Sequence, residues 1–145
     1  MKLGESDPNT SLNNSGNSLS NPSDENSYEN SMKELCRLSC KKLGKYKILQ
    51  TLGSGSFSKT KLGIDTETLK YVAIKILHDD ISESALKTII TEINALKQLK
   101  YHPNIISLYD FDQQVYEKAS SNEQNMVNFI AIELAQGGEL FNVLS

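Results

Sequence analysis

Hydrophobic positions are sparse over residues 1–31. Asn and Ser dominate there, and Met1, Leu3, Leu12, Leu19 and Tyr28 are too scattered to build a core. Such a stretch buries too little surface to offset its ordering entropy, so a disordered Asn/Ser-rich tail is expected. Over residues 32–45 the texture changes. Leu35, Leu38 and Leu43 fall near helical spacing and Gly44 suits a stop, which predicts a short basic helix or linker. From Tyr46 the pattern is strand-like. Tyr46–Leu52, Lys59–Ile64 and Leu69–Leu77 are apolar or β-branched runs separated by a glycine-rich loop and by the turn-prone Asp65-Thr66-Glu67-Thr68. They predict an antiparallel meander with the glycine loop as its first hairpin.

Residues 82–100 switch to a helical period. Leu86, Ile89, Ile90, Ile93 and Leu96 form one stripe, and Ser82 or Ser84 can cap its start. Glu92 falls beside Leu96 at the margin of that stripe, where a carboxylate can point inward toward a cation. Pro103 disfavours helix for the residue before it. Ile105–Phe111 predicts a fourth strand, residues 113–126 a polar hairpin connection, and Val127–Leu134 a fifth strand. Gly137-Gly138 breaks the pattern, and an apolar-periodic segment resumes from Glu139. The order of elements is α+β: a five-stranded antiparallel sheet plus one main helix behind a disordered tail.

Composition narrows the setting. The 145 residues suit one domain, and the net charge of -3 gives no basic excess to argue for nucleic acid. No run approaches a membrane span, and the N-terminus lacks the apolar core of a signal peptide. Two cysteines, Cys36 and Cys40, make no disulfide framework. At helical i, i+4 spacing they would share a face, but with no His nearby they offer too few ligands for a metal. A cytoplasmic setting, or a nuclear one, is expected.

The candidate chemistry sits in Leu52-Gly53-Ser54-Gly55-Ser56-Phe57-Ser58-Lys59-Thr60. Glycines let backbone amides approach an anion closely. Gly53 followed by Ser58-Lys59-Thr60 nearly matches a nucleoside-triphosphatase phosphate loop, but that loop requires a helix directly after Lys-Thr. A dinucleotide fingerprint requires a third glycine and the same helix. Here a strand-like run follows, so both are disfavoured.

A third use of such a loop, as a hairpin lid over phosphates, needs supporting residues at set places. Val72-Ala73-Ile74-Lys75 supplies a lysine on the third strand, and Glu92 follows 17 residues later on the helix. His102-Pro103-Asn104-Ile105-Ile106, Ile132-Glu133-Leu134-Ala135 and Gly137-Gly138-Glu139-Leu140-Phe141 complete the series. In this order and spacing, residues 46–145 resemble the N-terminal lobe of eukaryotic protein kinases, of the serine/threonine type.

The resemblance implies the following roles. Gly53, Ser54, Gly55, Ser56, Phe57 and Ser58 would cover the phosphates of ATP. Lys75 would contact the α- and β-phosphates, and Glu92 would pair with it and hold it extended. Leu52, Thr60 and Ala73 would line the adenine pocket. Ile132 would be the gatekeeper, Glu133 and Ala135 would offer backbone hydrogen bonds to adenine, and Glu139 would meet the ribose. Thr60 stands where the family usually has Val; its hydroxyl is not neutral in an apolar contact. His102 would be structural and His78 a surface residue. The family's catalytic His-Arg-Asp, its Asp-Phe-Gly and its Mg²⁺ ligands do not occur in this sequence. The 145 residues alone are therefore expected to be inactive and to be the front of a longer kinase, truncated at the start of the large lobe. That full-length form would use ATP and Mg²⁺ and act on protein hydroxyls. The alternative is an inactive lobe that serves as a binding or regulatory module.

Overall fold

The computed structural model describes residues 22–118 and 121–138. The elements in order are α1 (Pro22–Leu38), β1 (Lys41–Leu43), β2 (Tyr46–Ser54), β3 (Ser58–Asp65), β4 (Lys70–Leu77), α2 (Glu83–Gln98), β5 (Leu108–Lys118) and β6 (Ser121–Glu133). All strand pairs are antiparallel. The expected meander is β2-β3-β4, and the other two expected strands are β5 and β6. The three-residue β1 is an additional strand. It pairs with both β2 and β5 and so closes the sheet into a barrel, in the order β1-β2-β3-β4-β6-β5.

The interior of that barrel is the main core. Leu43, Tyr46, Ile48, Val72, Ile74, Tyr116, Val127, Phe129 and Ala131 interlock there. Tyr46 meets the Phe129 ring edge-on, with centroids 5.7 Å apart. Gly63 leaves room for this packing, because a Cβ at that position would lie 2.7 Å from Ile74 Cδ1. A second, smaller core lies on the other face of the sheet, where Ile93 of α2 packs on Leu77 and Ile130. The Ser82 hydroxyl caps α2 by accepting the Ala85 N–H at 3.3 Å. Ile90, placed on the apolar stripe by its spacing, is 40% exposed; the stripe that meets the sheet is narrower than the sequence suggests.

Three expectations need correction. Residues 22–31, read as disordered tail, are helical, and the helix ends at Leu38 rather than spanning 32–45. Pro22 sits at the first helical position and Asp24 and Glu25 in the first turn, where both residue types are favoured. Tyr28, Met32 and Leu35 then repeat at four and three residues, and Met32 is fully buried. Glu29–Lys33 and Glu34–Arg37 ion pairs line the exposed side. Cys40 lies beyond this helix, so it shares no helical face with Cys36. Finally, most of 113–126 is strand, because cross-strand pairing from Gln113↔Asn128 to Glu117↔Gln124 overrides a polar composition. The reading of residues 1–21, and of the apolar segment from Glu139, concerns positions outside the described residues. No described helix is long and apolar enough to cross a membrane.

Candidate nucleotide site

The alternation of side chains along β4 builds the site. Val72 and Ile74 enter the barrel, so Ala73, Lys75 and Leu77 face the opposite side. Register then aligns partners on that side. Gly53 pairs with Thr60, Thr60 with Lys75, and Lys75 with Ile130. One step along, Leu62 pairs with Ala73 and Ala73 with Ile132. A strand, β3, follows the glycine loop, which removes the triphosphatase and dinucleotide readings on structural grounds.

Two hollows lie on this face. One, of about 280 Å³, is lined by Phe57, Ser58, Lys75, Glu92, Ile93 and Ile132 among others. The other, of about 720 Å³, is bordered by Tyr28, Leu52, Leu62, Tyr71, Ala135 and Gly138. Leu52 and Ala135 thus meet in the second, while Lys75, Glu92 and the loop tip meet in the first. Ala73 is buried on the same face of the sheet. Gly53, Ser54, Gly55 and Ser56 are exposed in the loop. Glu139 lies outside the described residues.

The loop is held in a defined shape. Gly55 N–H donates to the Ser58 carbonyl at 2.8 Å, closing the tip. The N–H of His78 donates to the Phe57 carbonyl at 3.0 Å, and His78 Nε2 lies 3.2 Å from the Gly55 carbonyl. His78, expected only as a surface residue, therefore anchors the loop. Two register shifts in β2, on either side of Thr51, bend the strand as it approaches the loop.

Lys75 and Glu92 share a cavity but are not paired: among the described residues, the ion pairs involve neither side chain. Helix α2 docks through Ile93, and Glu92 stands roughly 100° round the helix at the exposed side of the hollow. Glu133 is tied to Ser107. Its N–H donates to the Ser107 carbonyl at 2.9 Å, and its carboxylate accepts the Ser107 N–H at 3.0 Å. A backbone contact from Glu133 to a ligand would have to use its carbonyl. His102 is structural as expected, its Nδ1 accepting the Asn104 N–H at 3.1 Å.

Tyr28, Leu62 and Tyr71 border the larger hollow and were not singled out from the sequence. The helical repeat Tyr28–Met32–Leu35 was the available signal for Tyr28. The strand alternation that includes Thr60 and Ala73 was the signal for Leu62 and Tyr71.

Comparison with known proteins agrees with this geometry. The protein kinase domain pattern matches residues 46–145. CBL-interacting serine/threonine-protein kinase 7 of Arabidopsis thaliana is 36% identical over 102 residues, covering 69% of this chain and 21% of that protein. CBL-interacting protein kinase 33 of Oryza sativa subsp. japonica is 34% identical over 106 residues, covering 72% and 21%. A probable serine/threonine-protein kinase, MARK-C, of Dictyostelium discoideum is 36% identical over 103 residues, covering 70% and 12%. The chain spans about a fifth or less of the length of these relatives. With lysine strand, glycine hairpin and main helix in this arrangement, the chain belongs to the eukaryotic protein kinases of the serine/threonine kind and carries the N-terminal part of their domain.

Proposed function

We propose that this chain supplies the nucleotide-binding half of an ATP-dependent protein serine/threonine kinase. The carrying observation is the placement of Lys75: in register with Thr60 beneath the glycine hairpin, and in one cavity with Phe57, Ser58 and Glu92. The donor set fits a nucleotide polyphosphate. A lysine ammonium and an exposed glycine-rich loop suit phosphates, and Leu52, Leu62 and Ala135 suit an adenine face. Because Gly55 N–H is already bonded to Ser58, phosphate contacts from the loop would come from its other amides. Glu92 would orient Lys75 after a modest inward shift of α2, forming the ion pair absent from this arrangement.

Phosphoryl transfer to protein hydroxyls belongs to the full-length form. The base and the Mg²⁺ ligands that the family uses are not in these 145 residues. Among the described residues, no three His, Cys, Asp or Glu side chains converge on a metal site. These residues alone bind nucleotide without transferring phosphate. The test is calorimetric titration of the chain with ATP. Lys75→Ala removes a charge-assisted contact of about 1.5–3 kcal/mol, which is roughly a 10- to 150-fold loss of affinity. Equal affinity in the variant would refute the site, and phosphate transfer by the 145 residues alone would refute the division of labour.

A further inference from the structure

We infer that the open mouth of the barrel is a second anion site, built for a phosphate monoester or diphosphate and separate from the nucleotide hollows. The inference goes beyond the kinase reading and does not depend on it.

Alternation around the barrel places the side chains. Leu43, Tyr116 and Val127 are core residues. Two positions further toward one end, on the same side of each strand, stand Lys41 in β1, Lys118 in β5 and Asn125 in β6. In β3, Gly63 faces Ile74 across the core, and Lys61 and Lys59 continue that side. Four lysines from three strands thus line one cavity of about 460 Å³. Its floor is Ile76, Tyr116 and Val127.

This arrangement is unfavourable as it stands. Lys41 and Lys118 are direct cross-strand partners, and like charges in that relation destabilise a sheet. Among the described residues, none of the four lysines is in an ion pair. Lys61 finds only a neutral acceptor, the Thr51 hydroxyl at 2.6 Å, and Lys118 only the face of Tyr116, 5.3 Å from the ring centroid. Among the described residues, Asp79 is the single carboxylate in the lining. Burial, and then the charges of Lys59, Lys41 and Lys118, push the Lys61 ammonium below the usual lysine range. An anion carrying two or more charges would relieve this repulsion and take several N–H donors at once. Lysines serve phosphate as mobile point charges, and the apolar floor suits an attached organic group.

Lys75 lies on the opposite face of β4 from these lysines, and Leu77 at the strand's end borders both this cavity and the Lys75 hollow. The cavity is also linked to the glycine loop. Lys59 pairs with Ser54 at the loop's root, and His78, which lines the cavity, holds the Gly55 and Phe57 carbonyls. An anion bound here would brace the lid from behind.

The test titrates the full chain with inorganic pyrophosphate, with a phosphoserine peptide and with the same peptide unphosphorylated, followed by calorimetry and by amide NMR shifts at Lys61 and Asn125. The expected result is saturable one-to-one binding of pyrophosphate, the phosphopeptide or both, the two arms telling a free from a peptide-borne phosphate. Binding should weaken at least about tenfold in the K61Q/K118Q double variant, the loss of one charge-assisted contact. It should persist in K61R/K118R and in Lys75→Ala. The Gln variant should melt no lower than the parent, because repulsion is removed; this separates a lost site from a lost fold. Absent saturable binding, equal affinity in K61Q/K118Q, equal binding of the unphosphorylated peptide, or loss in Lys75→Ala would each overturn the inference.

Discussion

Truncation of Ile93 to Ala tests whether α2 is held by a core of its own. Ile93 is the buried residue of α2, 2% exposed, and its neighbours Leu77 and Ile130 form a cluster separate from the barrel interior. Buried Ile→Ala changes cost about 2–5 kcal/mol, depending on how far the site collapses. Here Ile81, Leu86 and Ile89 around the cluster are only partly buried, so they can close in, and Ala is the better helix former. The lower part of the range, about 2–3 kcal/mol, is therefore expected. Because the cores are separate, the loss should fall on the docking of α2 rather than on the barrel. Hydrogen exchange reads this directly. Amides of α2 should exchange about 30- to 150-fold faster, while those of Ile74 and Phe129 change far less. Ile93→Val, costing about 0.5–1.5 kcal/mol, should give a graded effect. A uniform loss of protection across helix and barrel would refute the two-core reasoning, and so would an α2 change under about fivefold. The outcome bears on function because Glu92 rides on this helix and can approach Lys75 only through its movement.

Two further perturbations probe the frame around the site. Gly63→Ala places a Cβ 2.7 Å from Ile74 Cδ1 and 3.3 Å from the Lys47 carbonyl; it should cost about 1–3 kcal/mol in urea unfolding, whereas Gly53→Ala, which meets nothing within 4 Å, should be close to neutral, and the reverse ranking would be contrary evidence. The buried Asp65 carboxylate accepts the Glu67 and Thr68 amides at 2.8 and 3.2 Å and the Lys45 ammonium at 3.0 Å. Burial works to raise its pKa, but these bonds together hold it below the usual carboxylate range, so its contribution is present above about pH 3.9 and fades as pH falls through the lowered value. Lys45 is shifted upward by Asp65 and Glu67, so its share is complete below about pH 10.4 and fades only in stronger alkali. Thermal melts of Asp65→Asn should lose the acid limb of the parent's pH profile; an unchanged limb would show that the carboxylate is not its source.

Much of the site was legible in the sequence because it depends on local order. The β-branched run around Lys75 had to be a strand, since alternation and composition agreed, and a strand after Thr60 excluded the loops that need a helix. Where sequence reading went astray, the deciding contacts were distant. Residues 22–31 carry one strongly apolar side chain, Tyr28; the burial of Met32 just beyond them fixes a helix that composition alone called disordered. His78 anchors the glycine loop through bonds to residues more than twenty positions away, and nothing in its neighbours announces that.

By itself, the sequence determined the β2-β3-β4 meander, the lysine strand within it and the helix bearing Glu92, because periodicity and turn chemistry are local properties. It also supplied the spacing of motifs that marks the kinase family. The tertiary structure alone decided how the sheet closes. The short β1 bridges β2 and β5, and closure turns the alternation of Lys41, Lys61 and Lys118 into convergence on one mouth. It alone decided that Lys75 and Glu92 share a cavity without forming a pair. Those outcomes rest on register and on which faces meet across long loops, energies that no single stretch of chain contains.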